Sequence, residues 1–283
     1  MPRCSNTDSR SWEMNEDNIT EEMSMMRNSC ILMKLILLIL MLGICFDAQA
    51  ASTPTPLPVP VTTEVQENLP EGIQDLLDVA YREWTEVGGQ YLKRSNKYTL
   101  WLNDFEWGWC AGFVTWCTME AGIPQVAFTD NVRGDVDGLV HLKEASVGKM
   151  ITGYMRMNRV TNVPQKGFIV VYGQRNSGGA YHVGIVYDVK DLGNGRYRLT
   201  TIEGNMSDTV RMYVHDYDMH AKKAWDMKTI PQEEQTEEMN RMFSYRLQNE
   251  TWYINCFLMT WIPEGGVDTL SESEVQLTPP PQP

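Results

Sequence analysis

The chain changes period at Gly167. Before it, apolar side chains recur at helical spacing; beyond it, runs rich in Val, Ile, Tyr and Thr alternate with turn clusters. Helices first and strands afterwards predict an α+β domain in which N-terminal helices pack on an antiparallel sheet. Ile73, Leu76, Leu77, Val79, Ala80 and Trp84 predict a first helix that Gly88 and Gly89 end. A second runs from Trp109 to Ala121 with Cys110, Val114, Cys117 and Ala121 on one face, stopped by Gly122 and Pro124. A third, shorter helix is expected between Asp137 and Ala145. The strands are FIVVYG, HVGIVYDV, RYRLTTIEG and DTVRMYV, with a hairpin turn at Gly193-Asn194-Gly195, and a last strand in WYINCFLMTWI ending at Pro263.

The segments around this core read as accessories. Residues 31–50 hold a short apolar run followed by Ala48-Gln49-Ala50, a small-x-small cleavage signal, so residues 1–50 read as a leader with a signal peptide. The run is shorter than the roughly 20 residues a membrane span needs. The polar, acidic stretch ahead of it fits a true start at Met33, or an uncleaved N-terminal anchor that tethers the chain through residues 31–46. Either reading makes the protein secreted or displayed at the cell surface. Residues 51–70, rich in Pro and Thr, read as an extended linker, and 71–263 as the folded domain. Residues 219–250, rich in Met, Lys and Glu, read as a partly helical, solvated insertion, and the acidic, Pro-rich 264–283 as a disordered tail.

Charge narrows the partners. The chain has 24 basic and 37 acidic residues, a net charge of -13, and no basic face that could neutralise phosphates, which excludes nucleic acid. Without residues 1–50 it keeps 20 basic and 30 acidic residues, net -10. The acidic cluster Asp130, Asp135 and Asp137 lacks EF-hand spacing and reads as a solvated turn, so no metal is expected.

Three of the six cysteines, Cys4, Cys30 and Cys45, lie in the leader; Cys110, Cys117 and Cys256 remain. Three cysteines in an exported chain leave at least one unpaired, which flags a reactive thiol. Cys117 either pairs with Cys256 or is simply buried. Cys110 falls in the first turn of its helix, where free backbone N–H groups and the positive end of the helix dipole stabilise a thiolate and can receive an oxyanion. Taken alone, such a cysteine is more often a buried structural residue. His182 opens a strand and can project from the sheet onto that helix. Glu203 ends the next strand and can accept the second ring N–H of His182, fixing its tautomer. His141, His215 and His220 are expected in solvated roles. Trp101, Trp107, Trp109, Trp116 and Tyr181 cluster around Cys110 in sequence; most are expected in the core, with Trp107, Trp109 and Tyr181 the choices for lining a substrate groove.

In order and separation, WCAGFVTWCTMEAGIP, Gly167-Phe168-Ile169-Val170, YHVGIVYDV and TIEGN resemble the CHAP family of cysteine, histidine-dependent amidohydrolases/peptidases, from about residue 72 to 263. The resemblance implies a papain-like α+β fold, hydrolysis of amide bonds in peptidoglycan or muropeptides as an amidase or endopeptidase, and no cofactor. It maps the nucleophile onto Cys110, the base onto His182 and the third member onto Glu203, and it adds Asn205 as a further polar group orienting the ring. Phe168 stands where the family commonly has an acid. Two rivals remain at this level: another papain-like peptidase of the NlpC type, and a non-catalytic wall-binding protein.

Overall fold

The computed structural model describes residues 64–103, 108–128, 134, 136–174, 180–221, 226–245 and 252–275 of the 283. All of them belong to the compact unit 57–283. The leader with its apolar run, Trp107, Asp130 and Asp135 lie outside the described residues. Among the described residues no helix is long and apolar enough to cross a membrane.

Helix α1 (Glu71–Val87) buries Ile73, Leu76, Leu77, Val79 and Ala80, the predicted stripe, and the Gly88 N–H closes its end on the Trp84 carbonyl at 2.9 Å. One polar residue shares the buried face. Glu83, 1% exposed, is held by Lys97 Nζ at 2.7 Å and by the Tyr98 hydroxyl at 2.6 Å. Both partners come from helix α2 (Lys97–Leu102), which Asn96 starts through a capping box. Six residues are too few to show a period, so α2 leaves no signal of its own in the sequence. Helix α3 (Cys110–Glu120) is buried nearly all round, from Cys110 to Thr115 and at Cys117 and Thr118, because α1, α2 and the sheet all contact it.

The expected helix at 137–145 does not form. Gly138 adopts φ 72, which breaks a helical run at its second residue. The fully buried Arg159 also gathers the carbonyls of Val136, Gly138 and Met259. His141 and Leu142 therefore enter a two-stranded parallel pair, β1 (Gln125–Ala127) with β2 (His141–Lys143). The helix comes later, as α4 (Val147–Arg156), with the Ser146 side chain at its N-cap.

The main sheet contains β3 (Val160–Thr161), β4 (Ile169–Gln174), β5 (Ala180–Gly193), β6 (Arg196–Glu203), β7 (Arg211–Asp218), β8 (Met227–Lys228), β9 (Ser244–Tyr245) and β10 (Trp252–Leu258). Its order is β3-β10-β4-β5-β6-β7-β8, antiparallel throughout, with β9 added parallel to β7. β4 to β7 form a meander, and β5 and β6 meet at the predicted turn, where Gly193, Asn194 and Gly195 all take positive φ. The last strand returns between β3 and β4, which leaves β4 and β10 buried along most of their length. The fold is α+β, with α3 and α1 contacting β5 and β6.

Three accessory segments differ from expectation. The end of the linker docks: Val65 and Leu69 pack on the core, Gln66 N–H donates to Gln165 Oε1 at 2.9 Å, and Gln165 Nε2 donates back to the Glu64 carbonyl at 2.7 Å. The described part of the tail, residues 264–275, packs on the domain. Leu270 N–H reaches the Val160 carbonyl at 2.7 Å, and Val275 is 3% exposed. The insertion is only partly solvated, since Asp226, Met227 and Ile230 are buried around β8, ahead of a 3-10 turn (Gln232–Glu234) and helix α5 (Glu237–Met242). In each case a few apolar side chains in a polar stretch found uncovered core, a tertiary effect that composition does not report.

No disulfide joins Cys117 to Cys256; both are buried thiols. Cys117 stands on α3, whereas Cys256 stands on β10.

Candidate active site

Sheet register assembles the site before any side chain is considered. Tyr172 of β4 lies directly opposite His182 of β5, and Ile185 of β5 opposite Ile202 of β6, which sets Gly184 beside Glu203. With a side-chain period of two, Tyr172, His182, Gly184, Thr201 and Glu203 share one face. Glu203 is a diagonal neighbour of His182, and the missing side chain at Gly184 leaves the path between them open. A Cβ there would lie 2.5 Å from Glu203 Cγ. Gly184→Ala is therefore expected to displace the carboxylate and lower turnover about tenfold or more while costing about 1–3 kcal/mol of stability, read by parallel assays of turnover and urea unfolding.

His182 Nε2–H donates to Glu203 Oε2 at 2.9 Å, and the imidazole also hydrogen-bonds Cys110. Glu203 is fully buried, and its other oxygen, Oε1, accepts from the hydroxyls of Thr201 at 2.7 Å and Tyr172 at 2.8 Å. Cys110 is the first residue of α3, so its sulfur sits at the unpaired N–H end of an 11-residue helix. Burial pushes the Cys110 thiol up; the His182 charge and hydrogen bond, helped by the N–H groups of Val183 and Ala111, outweigh burial and hold it below the ordinary value. Burial likewise pushes His182 down, while the Cys110 charge and hydrogen bond and then Glu203 lift it to about 9. Both displacements favour the charged forms, a thiolate beside an imidazolium, with a carboxylate on the far side of the ring.

A cleft of about 590 Å³ opens over this pair. Residues 145–148, Asn205, Met206, Ser207 and Trp252 line it together with Gly108. Asn205, Ser207 and Asp208 all hold left-handed φ near 60°, a conformation that non-glycine residues rarely adopt and that recurs at functional sites. Asn205 lies against Gly108, whose Cβ would fall 2.6 Å from Asn205 Nδ2.

The sequence-predicted residues separate accordingly. Cys110, His182 and Glu203 come together. Asn205 reaches the cleft, but it does not orient the ring, because both ring nitrogens are engaged by Cys110 and Glu203. Trp109 is not a groove residue: it is 2% exposed and stacks on Tyr98 at 5.3 Å, since Gly204 admits its ring beneath the sheet end. The Trp107 position and the Tyr181 side chain lie outside the described residues. Trp101 and Trp116 each carry a lysine over the ring, Lys143 and Lys97 respectively. Tyr172, Thr201 and Trp252 were missed. Their signal was available only through register: Tyr172 pairs with His182, Thr201 sits two residues before Glu203, and Trp252 opens the returning strand.

Among the other histidines, His220 is exposed as expected, but His141 and His215 are fully buried. His141 lies between the hydroxyls of Thr115 at 3.1 Å and Tyr154 at 2.9 Å, tying α3 to the strand that leads into the cleft wall. Burial lowers its imidazole to about 3. The unfolded chain takes up this proton first, near 6.5. The stability His141 contributes is thus complete above that value and is lost as pH falls toward 3, at up to about 1.4 kcal/mol per pH unit. Urea unfolding between pH 7.5 and 4.5 should show this slope, with that part absent in His141→Gln.

Residues 101–205 match the family model of the CHAP domain, which bears out the resemblance over a narrower stretch than 72–263. The matched stretch contains Cys110, His182, Glu203 and Asn205, and CHAP domains are in general amidase- or peptidase-type hydrolases of peptidoglycan. No curated protein and no solved structure matches the chain.

Proposed function

We propose that this protein is a cysteine hydrolase that cleaves an amide bond of peptidoglycan, with Cys110 as nucleophile, His182 as base and Glu203 as the carboxylate that fixes the base. The observation that carries the reading is a buried carboxylate 2.9 Å from a buried imidazole, whose other side meets a thiol at a helix N-terminus on the floor of a cleft.

The thiolate attacks the scissile carbonyl, and the N–H groups at the start of α3 face the developing oxyanion. The His182 imidazolium then protonates the leaving amine, and the electron pair returns to form a thioester. Neutral His182 next takes a proton from water, whose hydroxide attacks the thioester; collapse releases the acid and expels the Cys110 thiolate, which restores its pairing with the His182 imidazolium. Glu203 stays ionised throughout and stabilises the imidazolium.

A wall polymer as substrate calls for a protein outside the cytoplasm. This agrees with residues 1–50 serving as a leader or as an anchor through residues 31–46. The purified chain is expected to release new amino termini from isolated sacculi, with mass spectrometry of the muropeptides naming the bond. Turnover of protein substrates with sacculi left intact would replace peptidoglycan by the other papain-like reading. Sacculi bound but uncut would leave a wall-binding protein.

A further inference from the structure

A triad carboxylate has two oxygens, and only one can face the histidine. In this site Oε2 of Glu203 meets His182, and Oε1 is filled by the hydroxyls of Tyr172 and Thr201. Tyr172 makes a second contact that Thr201 does not. Its ring lies against the imidazole of His182, with centroids 5.9 Å apart and planes inclined by 25°, while Trp252 meets the same imidazole edge-on at 6.2 Å and 79°. Tyr172 is fully buried and lies outside both the nucleophile helix and the cleft lining.

We propose that Tyr172 is a positioning residue of the catalytic site: its hydroxyl holds Glu203 with Oε2 aimed at His182, and its ring sets the plane in which the imidazole meets Cys110. The proposal rests on the Cys110–His182–Glu203 reading and deepens it. A buried carboxylate held by one donor alone is free to turn about its terminal torsion; two donors on Oε1 remove that freedom. Tyr172 acts on both members of the pair at once, so its loss is felt at the sulfur. The ionisable neighbours of this cluster are Cys110 from α3, His182 from β5 and His215 from β7, whose ring lies 6.0 Å from that of Tyr172. Arg211, opposite Glu203 in the ladder, turns its Nε to the Met206 carbonyl.

The test is the pH dependence of Cys110 alkylation by iodoacetamide in the full chain, with the labelled cysteine located by peptide mass spectrometry. Wild type should react well below the pH of an ordinary thiol. Tyr172→Phe keeps the ring and loses the hydroxyl; its alkylation midpoint is expected to rise by about one pH unit, and kcat to fall about tenfold or more at constant KM. Tyr172→Leu should be worse than Tyr172→Phe, because the stacking also goes. Thr201→Val, which removes the other donor, should shift in the same direction and supplies the readout should the Tyr172 variants not fold.

A depressed wild-type profile that neither Tyr172→Phe nor Thr201→Val moves overturns the inference alone. A downward shift overturns it as well, since a carboxylate with fewer donors that stayed aimed would be a stronger partner for the imidazolium. An ordinary thiol profile in wild type overturns the triad reading and takes the inference with it.

Discussion

Cys110→Ala is expected to lower amide hydrolysis by at least about a thousandfold while leaving the fold and substrate binding in place. The Cys110 side chain is small and packs at the start of a helix whose burial comes mainly from Ala111, Phe113, Val114 and Cys117. His182→Ala should cost as much, and the double variant little more, because the two side chains act as one unit. The wild-type rate profile is expected to be bell-shaped. Its acid limb lies below the range of an ordinary thiol, where the Cys110 thiolate takes a proton; its alkaline limb lies near 9, where the imidazolium loses one. The checks are initial rates on sacculi across pH and thermal unfolding of each variant. Hydrolysis that survived Cys110→Ala would sink the nucleophile assignment.

Glu203→Gln is the second large effect, and it tests orientation rather than nucleophilicity. The amide keeps the volume, and its oxygen can still accept from Tyr172 and Thr201, so the unfolding midpoint should hardly move. The NH2 group then faces His182 Nε2 and forces that nitrogen to be an acceptor. The ring proton moves to Nδ1, toward Cys110, and the base cannot take the thiol proton. A wrong tautomer in a nucleophilic triad costs on the order of 10⁴ in rate, and the depressed thiol range should be lost with it. Glu203→Ala behaves differently. It strands two buried hydroxyls and an imidazolium, so it should lose both activity and about 3–5 kcal/mol of stability. A Glu203→Gln enzyme that kept wild-type turnover would refute the orienting role.

The α+β class, the stripe of α1, the span of α3 and the order of the main strands all follow from local pattern. Each rests on periodicity inside one segment, and the turn at Gly193-Asn194-Gly195 carries its conformational demand in its own residues. Cys110, His182 and Glu203 were legible for a related reason: Cys110 opens a helix, Glu203 ends a strand and His182 is the third residue of one, positions from which a side chain or a helix dipole can be aimed.

What the sequence could not carry depends on which distant element fills a space. His141 was expected in a solvated helix and is a buried, low-pKa residue, because Thr115 and Tyr154 come from two other elements. Trp109 was expected at the groove, but Gly204 and Tyr98 offered its ring a pocket. Residues 264–275 were expected to be disordered, yet Val160 and the uncovered core gave them partners. By itself the sequence determined the α+β class, the places of α1, α3 and the main strands along the chain, and the three chemical groups. Only the tertiary structure decided that Gly184 clears the line from Glu203 to His182, and that Tyr172 and Thr201 fill the other carboxylate oxygen. Those contacts arise from register between strands, which no single segment encodes.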